Sequence, residues 1–359
     1  MMLNKKKMLI INHEQFGYHT DTFKYCQHLK GEYEIIYIGF DVKREKINLD
    51  GILNIYVSFD GNLIKRHFSF LKTCLTYIKK EKIELILLKH FYFCFILKIL
   101  IPNNKIILDI RSSAIRRSSV LRFLMNRLIL FDSLFFDQIS IISDSLRKKL
   151  GILSKKCFIL PVGADVLSLK NKDFRGLMRL LYVGTLSMRN IEQTIEGVYL
   201  FIKKQPADFC VQYDIIGNGT DKEIKIIHDY INNYKLGNIV KFHGPIKYPD
   251  IRPYFDVCNI GISYIPVKGY YNSQPPTKTF EYILSGMLCI ATTTLENIKI
   301  ITNQNGVLCK NNPQSFAQAL EKVYANKNLW NSEVIRKSRY EYVWDLVINN
   351  NLRPYLRSI

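Results

Sequence analysis

The run Pro275-Pro276-Thr277-Lys278-Thr279-Phe280-Glu281-Tyr282 sets a cation and a carboxylate three residues apart, just behind two prolines. Prolines suit a helix entrance, where the missing N–H groups cost little. The first turn of such a helix carries unpaired N–H donors and a partial positive charge, which suit a phosphate. Lys278 adds a full charge there. Glu281 lies one turn deeper on the same face, and a carboxylate can accept both hydrogen bonds of a vicinal ribose diol. Phosphate at the helix mouth and ribose one turn in make a coherent nucleotide site. The plain alternative, a solvent-exposed lysine–glutamate pair, fits the same spacing.

Other candidates stand where strand-like runs end. In Leu181-Tyr182-Val183-Gly184-Thr185-Leu186-Ser187-Met188-Arg189-Asn190, Gly184 permits close backbone approach, Thr185 offers a hydroxyl and Arg189 can fork onto a diphosphate. Gly217, Asn218 and Gly219 form a second such exit, and either exit can equally be a simple turn. In the first half, Gly17 could bring backbone close to a phosphate, and His19 could serve as acid, base or donor, unless Thr20 or Asp21 merely caps a helix there. Asp109 and Arg111 could hold an acceptor hydroxyl and an acceptor phosphate, or form a structural ion pair. Residues 114–136 mix Arg116, Arg117, Arg122 and Arg127 with Leu, Ile and Phe, the composition of a helix lying on an anionic membrane or of a core helix with solvated arginines.

The elements that must position these groups alternate in type. Strand candidates in the first half are Met8–Asn12, Glu34–Gly39, Asn54–Val57, Glu84–Leu88, Lys105–Asp109, Ile139–Ser143 and Cys157–Leu160; the second half offers Arg179–Val183, Gln212–Ile216, Ile239–Phe242, Cys258–Ile262, Leu288–Ala291 and Gly306–Cys309. They read as continuous apolar runs, the pattern of parallel strands covered on both faces. Helical patterns fall between them, including Asp21–Leu29, Leu63–Lys80, Glu192–Lys204, Asp221–Tyr234 and Thr277–Leu284. The rhythm pauses at residues 161–172, so a hinge is expected near 161–175. The tail, Ser332–Ile359, is helical in pattern, with Val343, Trp344, Leu346 and Val347 as apolar anchors. The expectation is an α/β chain of two doubly wound Rossmann-like domains, 1–165 and 175–335.

Bulk properties agree. A chain of 359 residues with 48% hydrophobic and 23% charged residues is globular and long enough for two cores. The net charge of +20 favours anionic partners, although the abundance of Lys, Ile and Asn also fits compositional drift. None of the eight cysteines forms a C-x-x-C pair, so they read as reduced core residues without a zinc site. The N-terminal apolar stretch Met8–Asn12 is too short for a signal peptide, and Lys89, His90 and Lys98 interrupt Ile83–Ile101, the most lipid-like stretch. There is no Asp-x-Asp pair, Walker loop, G-x-S-x-G elbow, H-E-x-x-H helix or nucleic-acid module.

In order along the chain, four segments resemble the family 4 glycosyltransferases of the GT-B fold: Ile159–Asp165, Tyr182–Leu186, Ile215–Gly219, and Pro276–Tyr282 followed by Ser285-Gly286. The resemblance implies two facing domains, with a C-terminal crossover helix at about 340–359 packing back on the first. It implies that Glu281 is the second Glu of the family's Glu-x7-Glu motif, gripping the donor ribose. Arg189 matches the basic residue that neutralises the donor diphosphate, and Gly17 the first-domain glycine loop. Two positions depart from the pattern: Ser273 replaces the first Glu, and Thr185 replaces a common Arg, a loss for which Lys278 compensates.

The resulting expectation is a glycosyltransferase that moves a sugar from a nucleotide-sugar donor to a saccharide or lipid-linked acceptor in surface polysaccharide synthesis, retaining and without metal or cofactor. Arg189, Lys278 and His19 are the catalytic candidates; Gly17, Gly184, Thr185, Gly217, Asn218, Gly219, Thr277 and Glu281 the donor-binding ones; Asp109 and Arg111 the acceptor-binding ones. The expected location is the cytoplasm, with peripheral contact to the inner membrane face through 114–136, and no nucleic acid is expected as a partner. A nucleotide-sugar epimerase of the same fold and a non-catalytic basic adaptor for membrane or nucleic acid stay open as alternatives.

Overall fold

The computed structural model describes residues 5–206 and 209–359; residues 1–4, which precede the stretch read as too short for a signal peptide, lie outside the described residues. The chain divides into two compact units: one runs to Val162 and takes in Trp344–Ile359, the other is Gly163–Val343.

The first unit is a seven-stranded parallel sheet. Its strands are β1 (Lys6–Ile11), β2 (Tyr33–Asp41), β3 (Ile52–Ser58), β4 (Leu85–Lys89), β5 (Lys105–Ile110), β6 (Gln138–Ile141) and β7 (Cys157–Ile159), in the order β3-β2-β1-β4-β5-β6-β7. Met8, Leu9, Ile10 and Ile11 of β1 are fully buried, as a strand covered on both faces requires. Its register pairs Met8 with Ile35 on one side and with Leu85 on the other. The helices are α1 (Thr20–Leu29), α2 (Leu63–Glu81), α3 (Phe95–Leu100), α4 (Ser119–Leu134) and α5 (Asp144–Leu150).

The second unit repeats the plan with six parallel strands: β8 (Met178–Val183), β9 (Val211–Ile216), β10 (Val240–Phe242), β11 (Ile260–Ser263), β12 (Leu288–Thr292) and β13 (Gly306–Cys309), ordered β10-β9-β8-β11-β12-β13. Helices α6 (Glu192–Ile202), α7 (Asp221–Asn233), α8 (Arg252–Val257), α9 (Thr277–Leu284), α10 (Leu295–Ile300), α11 (Pro313–Ala325) and α12 (Ser332–Lys337) follow or separate them. In both sheets the strand order reverses beside the first strand of the unit, between β1 and β4 and between β8 and β11. Open α/β sheets bind ligands outside the carboxyl ends of the strands at this switch point.

Two stretches show detail beyond the sequence expectation. The polar segment after Pro161 is built into the second unit. The N–H groups of Leu167 and Ser168 donate to Ser285 Oγ at 3.0 and 3.3 Å, and the Lys172 ammonium is buried against Ser168 Oγ and the carbonyls of Phe255 and Asp256. The tail is also not one helix. Val343 forms a parallel bridge with Ala164, and only then do two helical pieces follow, α13 (Trp344–Val347) and α14 (Arg353–Arg357), joined by a π-helical turn, Ile348–Leu352. Trp344, Val347, Ile348, Leu352, Tyr355 and Leu356 join the core of the first unit, and the Tyr355 ring stacks on Phe158 at 4.2 Å. Among the described residues no helix is long and apolar enough to cross a membrane.

Candidate functional site

In the second unit, β8 and β9 end in glycine loops that press on each other. A side chain at Gly217 would run into the carbonyl oxygen of Gly184, and the Gly184 N–H donates to Ile216 O at 2.9 Å. Gly184 has φ +149°, a backbone conformation that side chains disfavour. Asn218 acts through its backbone: its carbonyl accepts from the Leu186 N–H at 2.8 Å and from Thr185 Oγ1 at 3.3 Å. Gly219 lies beside Leu186 and Glu223, and Glu223 takes the Ser187 hydroxyl at 2.7 Å. The chain then turns tightly, with Met188 at φ 56° and Asn190 at φ 55° on either side of Arg189. Left-handed backbone at two successive non-glycine corners costs energy, and such strain concentrates at functional sites.

Helix α9 starts at Thr277 behind Pro276, with no side chain capping its first turn. Its inner face is locked by Thr279, whose hydroxyl lies 2.7 Å from Ser263 Oγ and donates to Asn297 Oδ1 at 3.1 Å. That lock sets Lys278, one residue earlier, toward β8. The Lys278 ammonium lies 4.0 Å from the ring centroid of Tyr182 and occupies the space a side chain at Gly184 would need. Beside it, the Arg189 guanidinium lies 3.8 Å over the Tyr271 ring. Lys278 Nζ and Arg189 Nε and Nη1 are buried without a hydrogen-bond partner. Unpaired buried donors are costly, and a cation on an aromatic face recovers only part of the loss. Burial, and then the Arg189 charge, bring the Lys278 pKa down to about 7.

Glu281 faces a different group. Its Oε1 accepts from the Tyr248 hydroxyl at 2.7 Å, and that hydroxyl is also 3.1 Å from Asp165 Oδ2. One phenolic proton serves two carboxylates, and burial together with the charges of Glu281 and Asp165 pushes the Tyr248 pKa far up. The Lys278–Glu281 spacing is therefore not an exposed ion pair: the lysine turns to Tyr182 and the glutamate to Tyr248. Ser273, in the position of the missing acid, is 5% exposed.

Residues 178–326, from the start of β8 past the end of α11, match the family described as glycosyl transferases group 1. Over that stretch the chain is similar to group 1 glycosyl transferases. Its fold agrees along the whole length with solved GT-B proteins. Sucrose-phosphate synthase from Thermosynechococcus elongatus has 15% identity and a TM-score of 0.77 over 98% of this chain and 99% of that one. A glycosyltransferase from Rickettsia africae has 15% identity and a TM-score of 0.75 over 98% of each chain. Anabaena HepE, solved in complex with UDP, has 12% identity and a TM-score of 0.78 over 98% of this chain and 100% of that one. No curated protein matches the sequence.

The first unit holds the remaining candidates, and they divide. Gly17 has φ +89°, and a side chain there would lie 2.5 Å from Ile47 Cδ1, so the loop after β1 needs its glycine for the backbone alone. His19, and not Thr20 or Asp21, caps α1: its Nδ1 accepts from the Thr22 N–H at 3.3 Å. Burial lowers its pKa to about 3, with the Lys89 charge adding to the effect, so it is neutral and not an acid. With Nδ1 accepting, Nε2 carries the hydrogen and can only donate.

Asp109 and Arg111 leave the acceptor set. Asp109 is fully buried and accepts from Ser140 Oγ at 2.6 Å. Arg111, 6% exposed, spends Nε on Asp21 at 2.6 Å and Nη1 on the Leu160 carbonyl at 2.7 Å. Its fork ties β5 to α1 and β7 and has no face left for a substrate phosphate. Sequence reasoning missed the tyrosines 182, 248 and 271 and the carboxylate of Asp165; only Tyr182 and Asp165 stood within segments that carried the resemblance. It also missed a cluster in which His90, Cys94 and Asp132 bring ligand atoms within 4.8 Å of one another. Asp132 there already accepts from His90 Nε2 at 2.9 Å and the Phe93 N–H at 3.2 Å.

Proposed function

We propose that the protein transfers a sugar from a nucleoside diphosphate sugar to a saccharide or lipid-linked saccharide acceptor, with retention of configuration and without a metal ion. The observation that carries the reading is the pair of cations, Arg189 and Lys278, whose buried N–H donors have no partner and which stand beside the uncapped start of α9 at the switch point of the second sheet. Their geometry suits a diphosphate: a guanidinium that grips two oxygens, an ammonium, and the helix N–H groups from Thr277. Glu281 lies one turn deeper for the ribose. Gly184 makes room for the Lys278 ammonium and Gly217 for the Gly184 carbonyl, so both glycines set the pose of that cation. HepE, solved with UDP and with UDP-glucose, supports the donor class.

The difficult step is departure of the nucleoside diphosphate, because negative charge grows on its oxygens. Two fixed cations and aligned helix N–H groups, held in place before reaction, lower that barrier without a divalent ion. The leaving phosphate then accepts the acceptor's proton, so no side-chain base is needed. Within the first unit, His19 is the candidate to hold a sugar hydroxyl through its Nε2–H. The remaining setting is surface polysaccharide synthesis in the cytoplasm; contact with the inner membrane face is supported by the net charge of +20 and by α4, which exposes Val120, Phe123 and Leu124 next to Arg122 and Arg127.

The test screens UDP-, GDP- and other nucleotide sugars by calorimetry with chelator present, then measures turnover and the anomeric configuration of the product. Arg189→Ala and Lys278→Ala should each lower turnover by about two to three orders of magnitude in folded protein. Wild-type turnover in either variant removes the assignment.

A further inference from the structure

At the switch point of the first sheet, outside the ends of β1 and β4, lies an open cavity of about 900 Å³. That is the upper end of the range for small-molecule sites, roughly 300–1,000 Å³. All its walls belong to the first unit: the strand ends Asn12–Glu14 and Lys89–Phe91 form the floor, α2 one side and α4 the other. The lining is apolar and aromatic, with Phe40, Phe91, Met125 and Leu128 among its groups. The walls are preformed. Asp132 of α4 holds the His90 ring and the Phe93 N–H of the opposite loop, and the His13 ring stacks on Phe91 at 4.1 Å.

Three features of this cavity point to one kind of occupant. First, its lips remain apolar where they meet water. Leu63, Ile64 and Phe68 of α2 are 80%, 69% and 63% exposed, and Leu121 of α4 is 44% exposed. Exposed apolar side chains gathered around one opening mark an interaction site. Second, the charges on both helices are of one sign. α2 carries Lys65, Arg66, Lys72, Lys79 and Lys80 against a single Glu81 at its far end, and the one acid of α4, Asp132, is fully buried. Third, polar groups on the wall wait unpaired: Arg66 Nε, His13 Nε2 and His67 Nε2 are buried without a hydrogen-bond partner, with the Arg66 guanidinium stacked 4.0 Å over Phe59. Burial, and the neighbouring His67, Lys89 and His90, lower the His13 pKa to about 3; Arg66 and Lys89 are the arginine and lysine of the lining, with Glu14 on the floor beside them.

We propose that this cavity takes the hydrocarbon chain of a phosphate-bearing lipid, with Arg66 and Lys89 toward the phosphate, so that the acceptor is a lipid-linked saccharide and not a free one. The assignment rests on the transferase reading above and narrows its acceptor. A free saccharide needs polar lining and small exposed aromatic platforms; a cavity of hydrocarbon walls with a cationic edge fits an amphiphile with an anionic head.

The experiment measures binding of dodecyl phosphate, below its micellar concentration, to the full chain by calorimetry, with inorganic phosphate and dodecanol as comparison arms and UDP as a separate control. Two variants probe the site: Met125→Trp fills the cavity, and Phe68→Glu puts a carboxylate on an exposed lip that folding does not need. Dodecyl phosphate should bind, inorganic phosphate should not, and both variants should weaken the alkyl phosphate at least tenfold while UDP affinity stays within twofold. Wild-type protein that binds UDP but not dodecyl phosphate overturns the proposal and leaves the donor reading standing, as does alkyl phosphate binding indifferent to both variants. Concentration-dependent dimerisation abolished by Phe68→Glu, without alkyl phosphate binding, assigns the face to a second copy and also overturns it. Failure to bind any nucleotide sugar strikes the donor reading, whatever the lipid does.

Discussion

The Lys278 ammonium rests on the face of Tyr182, 4.0 Å from its ring centroid, in the space that any side chain at position 184 would fill. Burial and the nearby Arg189 charge lower its pKa from 10.5 to about 7. Between these values the unfolded chain binds more protons at this residue than the folded one, so its contribution to stability rises with pH from about 7 to 10.5 and is flat below.

A proton-coupling prediction follows from the same shift. A bound diphosphate favours the charged amine and restores its higher pKa. At pH 8 the free site is mostly neutral, while the ligand phosphates are already ionised. UDP binding should then take up close to one proton, readable from calorimetry in buffers of different ionisation enthalpy, and affinity should fall as pH rises further. Lys278→Met should abolish the uptake. Uptake unchanged in that variant would place the proton elsewhere.

The two glycines of the paired loops should fail differently. A methyl at Gly217 meets backbone, the Gly184 carbonyl, which cannot yield without parting β8 from β9. Gly217→Ala should lose on the order of 3 kcal/mol, read as a fall in Tm of roughly 10 °C. A methyl at Gly184 meets the end of the flexible Lys278 side chain, though its φ of +149° adds strain. Gly184→Ala should cost less stability but weaken UDP binding at least tenfold, because the ammonium must leave its place.

The strands were legible because their covering is two-sided: β1, β4 and β12 each contain an unbroken apolar run, 8–11, 85–88 and 288–291, that no amphipathic helix imitates. The tail was not. Trp344, Ile348 and Leu352 recur every fourth residue, and a regular helix would rotate that row steadily off the core. The π turn at Ile348–Leu352 widens the helix and keeps the row inward, a tertiary adjustment with no local signal. In the site, Lys278 and Arg189 could be read because cations near a helix start and a glycine exit have a direct chemical meaning. Their tyrosine platforms, Tyr182 and Tyr271, could not, nor could Tyr248 beside Glu281, since these rings meet their partners only through the folding of separate segments. Arg111 misled for the opposite reason: a strand-end arginine resembles a ligand until its partners, Asp21 and Leu160, are known.

Arg189 depends on Tyr271 for its pose, with 3.8 Å between guanidinium carbon and ring centroid. Tyr271→Leu keeps apolar bulk and removes the quadrupole. A desolvated cation–π contact is worth about 1–2 kcal/mol, so UDP should bind roughly 5- to 30-fold more weakly with little change in Tm. Arg189→Ala in the Tyr271→Leu background should then cost less than in wild type. Equal losses in both backgrounds would mean that the ring does not orient the guanidinium.

Tyr248 is the remaining link, because it holds the carboxylate proposed to clasp the ribose. Its hydroxyl donates to Glu281 Oε1 at 2.7 Å and stands 3.1 Å from Asp165. Removing the hydroxyl leaves two acids facing each other without their shared proton, so Glu281 should turn away from its pose. Tyr248→Phe is expected to raise KM for the donor about three- to tenfold, the worth of a hydrogen bond to a charged group less what solvent returns, with kcat nearly unchanged. The decisive comparison uses a donor with a 2′-deoxyribose. If Glu281 binds the diol, wild type should lose affinity for the deoxy donor, and Glu281→Gln and Tyr248→Phe should each narrow that gap. A deoxy penalty of the same size in all three proteins would separate this carboxylate from the ribose and leave the tyrosine a structural tie between Glu281 and Asp165.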